Sequence, residues 1–556
     1  YGLMAAADVP IALRQQHSWF MIKNSRDADW KSQIKERMDW VLDGAGFDVL
    51  GTESGSTEFT HANCSVMLEW MNFAAEVAES KNKKAWIKCH VSNAGTCPDF
   101  DDINFNFLPE YSVQSLGVLP HTVQTYAFDD PTSGTYGQEN FSFMYDWAVH
   151  MATTQPERDT LYYGETAYWV NFDINVPLFL PIYADRRLRD LRLLRQAEKQ
   201  NPDSRFAGQL NFCSGWEWGY WFQEVITARA AWNLPDDGAC LESQRACLRA
   251  ALRPIVATLA HQSQDVAPVV LEDFFITYIH LQQELLIEGK VQGQAPNTTF
   301  QRNGHAYLSG WEAMIDVEAI GVELGLSDAF TQPEHISLRQ VMHERALEAT
   351  GLHPTTSMDE IRGLLEEMHR RFADMRSRWD AIVDGIASKD IAVQALLGDI
   401  SDAVAMTSLR ATQVLQVYRA ADSHGPVRNA HLSTAQSTIE AAVDIVHRRE
   451  QKYRVSWGRI AGWRWTPTSY HFGYLWTAHS LLYWWRDLGI VNGSSPEARS
   501  PCYLNYQSPV DVGLGEGLLQ NTMQHIRDHN DGNHPVDLLT DCLAAPEEEL
   551  KFPADL

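Results

Sequence analysis

The chain has 556 residues, 45% hydrophobic and 21% charged, a balance that excludes wholesale disorder and implies two or three separate cores. Acidic residues outnumber basic ones 72 to 45, and the net charge of −27 repels phosphate backbones and anionic membrane surfaces. Nucleic acid is therefore not an expected partner, and no apolar run reaches the roughly 18 residues that a membrane span needs.

The region from Tyr1 to Leu13 reads as a strand, and nothing in it has the basic character of a signal-peptide start. An amphipathic helix follows over 27–42, with Trp30, Ile34, Met38 and Val41 on one stripe. A strand over 47–53, a helix over 63–80 and a strand over 85–91 come next. Apolar residues 116–119 then lead into 121–126, followed by a helix over 141–153. A strand over 160–170, a basic helix over 188–199, a strand over 206–212 and a helix over 221–232 complete six strand–helix units. Such alternation implies parallel strands joined by right-handed crossovers, either closed into a barrel or wound on both sides of an open sheet. No Gly-x-Gly-x-x-Gly turn follows any strand, so a dinucleotide fold has no support. A closed barrel needs eight strands, which places two more upstream of Tyr1.

From Gly238 the texture becomes helical, with segments expected over 244–261, 266–288, 310–324, 336–350, 358–387, 391–419 and 434–454. Ile361, Leu364, Leu365, Met368, Phe372 and Met375 show the helical spacing clearly. An aromatic run from Ser469 to Trp476 leads into a last helix to Trp485. The expected organisation is an α/β barrel of the TIM type over 1–237, an α-helical domain over 238–490 and an irregular wrap over 491–556. Any homo-oligomer would form through the helical domain.

Eight cysteines include three pairs close in sequence: Cys89 with Cys97, Cys240 with Cys247 and Cys502 with Cys542. With four glycosylation sequons, at Asn63, Asn140, Asn297 and Asn492, they point to a secreted or extracytoplasmic, disulfide-bonded glycoprotein, the alternative being buried free thiols in a cytosolic protein. His61, Cys64 and Met67 at helical spacing, with Cys89-His90 after the next strand, have the types of soft-metal ligands. A helix that simply buries Cys64 and Met67 explains them as well. Asp99, Asp101, Asp102, Asn104 and Asn106 offer oxygens for Ca²⁺ but lack the EF-hand spacing. No metal and no cofactor is expected.

Chemistry concentrates where predicted strands end. Glu53 ends the second strand, Glu58 lies in the turn that follows, and His61 comes beyond them. His121, Gln124, Tyr126, Asp129 and Asp130 follow the fourth. Tyr163, Glu165, Tyr168 and Trp169 surround the end of the fifth, and Trp216, Glu217 and Trp218 follow the sixth. Two carboxylates among aromatic rings are what glycosidic cleavage requires: one group protonates the leaving oxygen and the other attacks the anomeric carbon. In this respect the chain resembles retaining glycoside hydrolases built on (β/α)₈ barrels. In that group the acid/base ends the fourth barrel strand, the nucleophile the seventh, and an aromatic residue often ends the eighth. With two strands before Tyr1, the resemblance implies Glu53 or Glu58 as acid/base, Glu165 as nucleophile and Trp216 at the eighth strand. The sequence departs from the group at Thr52-Glu53, where an Asn-Glu dipeptide is common. A carbohydrate substrate is the expected partner. A non-catalytic carbohydrate-binding or structural surface protein on a barrel scaffold is the alternative, since it needs the aromatics without the paired acids.

Overall fold

The computed structural model describes residues 12–14, 29–44, 47–53, 63–93, 95–132, 134–166, 178–212, 219–232, 237–261, 266–291, 303–309, 335–351, 357–386, 390–453 and 481–493. The chain divides into two compact units. The first comprises 1–165, 186–212 and 230–233, and the second the remaining residues.

In the first unit, strands and helices alternate. The order is β1 (Ala12–Arg14), α1 (Trp30–Gly44), β2 (Val49–Glu53), α2 (Cys64–Ser80) and β3 (Lys84–Cys89). A short hairpin follows, β4 (Thr96–Cys97) with β5 (Ile103–Asn104). The unit continues with β6 (Leu116–Thr122), α3 (Ser142–Thr154), β7 (Leu161–Glu165), α4 (Ile182–Gln200) and β8 (Gly208–Phe212). The main sheet has the order β1-β2-β3-β6-β7-β8, and all its neighbours are parallel. Each crossover advances one position in the same direction. A doubly wound sheet would reverse partway, so this is the winding of a barrel wall. The expected eight-stranded barrel is present as a curled sheet of six strands among the described residues, and not as a closed barrel.

Register and alternation assign the two faces. On one face Val49, Trp86, Leu119, Leu161 and Tyr163 form a buried cluster that Leu210 and Phe212 join. Gly117 makes room there: a Cβ at that position would lie 2.3 Å from the Trp86 ring. On the other face Leu50, Ala85, Ile87 and Leu116 meet Ile34 and Met38 of α1 and Met67, Trp70 and Met71 of α2. These are the apolar positions spaced three and four apart in the sequence, so the helical stripe and the strand alternation meet as expected.

The cysteine pairing follows proximity at Cys240–Cys247 and departs from it at Cys97, which is bonded to Cys64 at the start of α2 and not to Cys89; Cys502 and Cys542 lie outside the described residues. Cys89 stays a buried thiol on the helix-facing side of β3. The disulfide also removes Cys64 from the soft-metal set, because a bonded sulfur is no thiolate ligand. The acidic run after Cys97 builds the hairpin turn. Asp101 and Asp102 adopt φ of 54° and 55°, Asp101 accepts from the Tyr111 hydroxyl, and Asn104 and Asn106 donate to the Ser92 carbonyl. Among the described residues no cluster of three His, Cys, Asp or Glu side chains is arranged to hold a metal ion. Replacing both Cys64 and Cys97 by serine is expected to lower stability by about 3–4 kcal/mol, the chain-entropy value for a loop of this length. Urea midpoints of the oxidised protein and the double variant check this.

The second unit is helical. It holds residues 221–229 of α5 (Trp221–Trp232), then α6 (Asp237–Glu242), α7 (Gln244–Leu259) and α8 (Pro268–Gln282), which runs on as a π-turn over Gln283–Ile287. Next are α9 (Gly304–Ser309), α10 (Leu338–Ala349), α11 (Met358–Asp384), α12 (Ile391–Ala421), α13 (Gly425–Tyr453) and α14 (Leu482–Asn492). Phe222, Phe274, Phe275, Tyr278, Phe372 and Trp379 form one ring cluster. α12 packs between α11 and α13. α13 begins at Gly425, well before the predicted 434, because Pro426 opens the helix instead of breaking it. The expected helix over 310–324 lies outside the described residues. Among the described residues no helix is long and apolar enough to cross a membrane.

Candidate functional site

All strands of the main sheet run one way, so their C-terminal ends share one rim. Glu53 ends β2 opposite Lys88, His90 directly follows β3, His121 lies near the end of β6, and Glu165 and Phe212 end β7 and β8. His121 pairs in register with Tyr163, and Glu165 with Phe212, so these four share the face of the apolar cluster.

Glu165 is the centre of the described part of this rim. The residue is 8% exposed, and both carboxylate oxygens are engaged. Oε2 accepts the backbone N–H of Gln124, and Oε1 lies 3.4 Å from Nε2 of His121. His121 is itself buried, with Nδ1 2.7 Å from the carbonyl oxygen of Tyr163. Its ring lies 4.8 Å from that of Tyr163 and 5.4 Å from that of His90, and Tyr136 meets His90 edge-on. Gln124 and Tyr136 both hold left-handed backbone, with φ of 56° and 55°. That conformation costs a non-glycine residue on the order of 1 kcal/mol, and it is found here at the residue whose N–H grips the carboxylate.

A second layer fixes the end of β7. Arg187 of α4, fully buried, donates through Nη1 to the Glu165 carbonyl at 2.8 Å and through Nη2 to the Tyr126 carbonyl. It pairs with Asp190 at 3.2 Å. Asp190 also accepts from the Phe128 N–H and the Tyr162 hydroxyl. Gly164 permits this approach: a Cβ there would lie 2.6 Å from the Tyr162 hydroxyl and 2.7 Å from Cδ of Arg187. Burial pushes Asp190 up to about 6, against the pull of Arg187, Tyr162 and the Phe128 N–H. Between about pH 4 and 6 the folded protein therefore keeps a proton that the unfolded chain has released. Stability falls as pH rises through that window and levels off above it. Asp190→Asn is expected to remove up to about 3 kcal/mol of this pH dependence. Urea midpoints at pH 4, 5, 6 and 7 read it, and equal slopes in the two proteins would place the titration elsewhere.

No protein-family model matches the chain, and no curated protein does. Among solved structures it is similar to a GH138 enzyme targeting pectin rhamnogalacturonan II, at 9% identity and a TM-score of 0.45, covering 88% of this chain and 70% of that one.

The structure brings together four of the residues singled out in the sequence: His121, Gln124, Tyr163 and Glu165. Three others are placed differently. Tyr126 is fully buried beside Phe141 and offers its carbonyl to Arg187. Asp129 takes a two-pronged bond from Arg189 at 2.7 Å, and buried Asp130 pairs with Arg186 at 3.0 Å and accepts the Ala127 N–H. Glu53 is described by its strand position alone. Glu58, His61, Tyr168, Trp169, Trp216, Glu217 and Trp218 lie outside the described residues. The sequence reading missed His90 and Tyr136 as members of the cluster. His90 follows a strand just as the candidate acids do, which is the signal that marks it.

Proposed function

We propose that this rim cleaves a glycosidic bond, with Glu165 as nucleophile and Glu53 or Glu58 as general acid/base. One observation carries the reading. A nearly buried carboxylate ends a strand at the rim where barrel enzymes place their chemistry, and a backbone N–H from a left-handed residue orients it. A carboxylate serving only the fold has no need of such a donor in so costly a conformation. β2 and β7 stand three strand spacings apart, ~14 Å on a flat sheet, so the ends of the two strands come within reach of one sugar only across a curled one. Tyr163 with Tyr168, Trp169, Trp216 and Trp218 would supply the apolar faces on which sugar rings stack, and His61 and Glu217 would bond hydroxyls. Two disulfides fit an extracytoplasmic site of action.

The test is release of reducing ends from a panel of polysaccharides and aryl glycosides by the purified chain. Hydrolysis of any of them supports the reading. Retention of a glycan without hydrolysis would make this a carbohydrate-binding protein, and neither would remove the carbohydrate reading altogether.

A further inference from the structure

Two half-buried histidines tie α12 to its two neighbours. His369 of α11 lies with Nδ1 3.0 Å from Oγ1 of Thr412. The Thr412 hydroxyl gives its one hydrogen to the Ser408 carbonyl, so its oxygen accepts and Nδ1 of His369 carries the hydrogen. His431 of α13 lies with Nδ1 2.7 Å from Oε1 of Gln416, an amide oxygen that can only accept. Both Nδ1 atoms are therefore donors, and a further proton enters each ring only at Nε2. Thr412, Gln416 and Arg419 follow at steps of four and three residues, which places them on one face of α12. Arg419 reaches across to Glu366 of α11 at 2.7 Å, one turn before His369. We infer that His369, His431 and Arg419 form a proton-operated clasp: the neutral imidazoles bind α11 and α13 to α12, and acid places two more positive charges beside Arg419 and loosens both seams.

Burial, and behind it the charge of Arg419, holds both imidazoles below the ordinary histidine range. The other charges on the packed helices are paired or exposed. On α11, Arg362 pairs with Asp359 and with Asp422 at the end of α12, and Arg370 pairs with Glu367 and Asp374. Arg428 of α13 donates to the Val491 carbonyl, and Asp487 of α14 pairs with buried Arg410. Glu344 of α10 is bonded to Ser357, and His343 and His424 are exposed. Among the described residues one carboxylate, Glu366, pairs with Arg419, and it cannot offset three positive charges. Histidines of the unfolded chain take up protons near pH 6.5, while the folded chain takes up these two only at lower pH. Their contribution to the stability of the helical unit is therefore complete above about pH 6.5 and is lost as pH falls below it.

The experiment is hydrogen–deuterium exchange of the full chain at pH 5 and pH 7, corrected for the intrinsic pH dependence of exchange and read in peptides of α11, α12 and α13. Wild-type protection there is expected to be on the order of tenfold lower at pH 5. His369→Asn combined with His431→Asn keeps a donor at each Nδ1 position and takes up no proton, so its protection should be nearly equal at the two pH values. Arg419→Gln loses the pairing with Glu366 and with it some protection at pH 7. Its ratio between the two pH values should nonetheless shrink, a change that a merely structural arginine would not produce. An undiminished ratio in the double variant would overturn the inference. The same result in Arg419→Gln would overturn it too, and decides the matter if the double variant does not fold. Neither readout needs a substrate, so the clasp and the proposed glycosidase activity stand or fall separately.

Discussion

Glu165→Gln is expected to lower kcat on the order of 10³-fold or more while the protein keeps its fold. The substitution is nearly isosteric, and its hydrogen bonds can be rewritten without loss. The amide oxygen still accepts the Gln124 N–H, and the amide nitrogen donates to Nε2 of a neutral His121, whose Nδ1 stays on the Tyr163 carbonyl. Only the negative charge goes, and with it the group that would attack or stabilise the anomeric carbon. KM should change little, since a sugar held by aromatic faces and hydroxyl contacts feels the swap weakly in the ground state. Far-ultraviolet circular dichroism and a thermal melt establish the fold, and initial rates on the best substrate of the panel give kcat and KM. A folded variant that keeps a tenth of the activity would take Glu165 out of the mechanism. A variant that does not fold would show that the carboxylate holds β7 in place by itself.

The strands of the first unit were legible because their chemistry is local. Val49-Leu50, Trp86-Ile87, Val118-Leu119 and Tyr162-Tyr163 are β-branched or bulky runs bounded by turns, and each forms a strand at its expected place. The place of Glu165 at the C-terminal end of a strand was legible too, since the expected strand runs through it. What escaped is set by tertiary contact. Nothing in Thr122-Val123-Gln124 announces that Gln124 turns left-handed, because the price of that turn is met by a partner 41 residues away. Cys97 binds Cys64 and not the nearer Cys89, because the strand points Cys89 toward the helices and the hairpin carries Cys97 elsewhere. His90 looked like half of a metal motif until β6 placed His121 beside it. Asp129 and Asp130 looked like ligands for hydroxyls, and arginines of α4 occupy both.

That same helix supplies the second large expected effect. The sequence reads as a basic helix over 188–199, but α4 starts at Ile182, and Arg186 and Arg187 are buried. Arg187→Met is expected to cost about 3–5 kcal/mol, because it strands Asp190 as a buried charge without its counter-ion and leaves the carbonyls of Glu165 and Tyr126 short of a donor. Methionine has enough volume to avoid a large cavity, so the loss is electrostatic and not a packing defect. The proof lies in the double variant. If Arg187 serves as the counter-charge, Arg187→Met with Asp190→Asn should be more stable than Arg187→Met alone, since the second change removes the orphaned charge that the first creates. Urea unfolding of the four proteins of the cycle at pH 7 measures this directly. Simple addition of the two losses would mean that Arg187 acts mainly through the two carbonyls, holding the end of β7 and with it the backbone that carries Glu165.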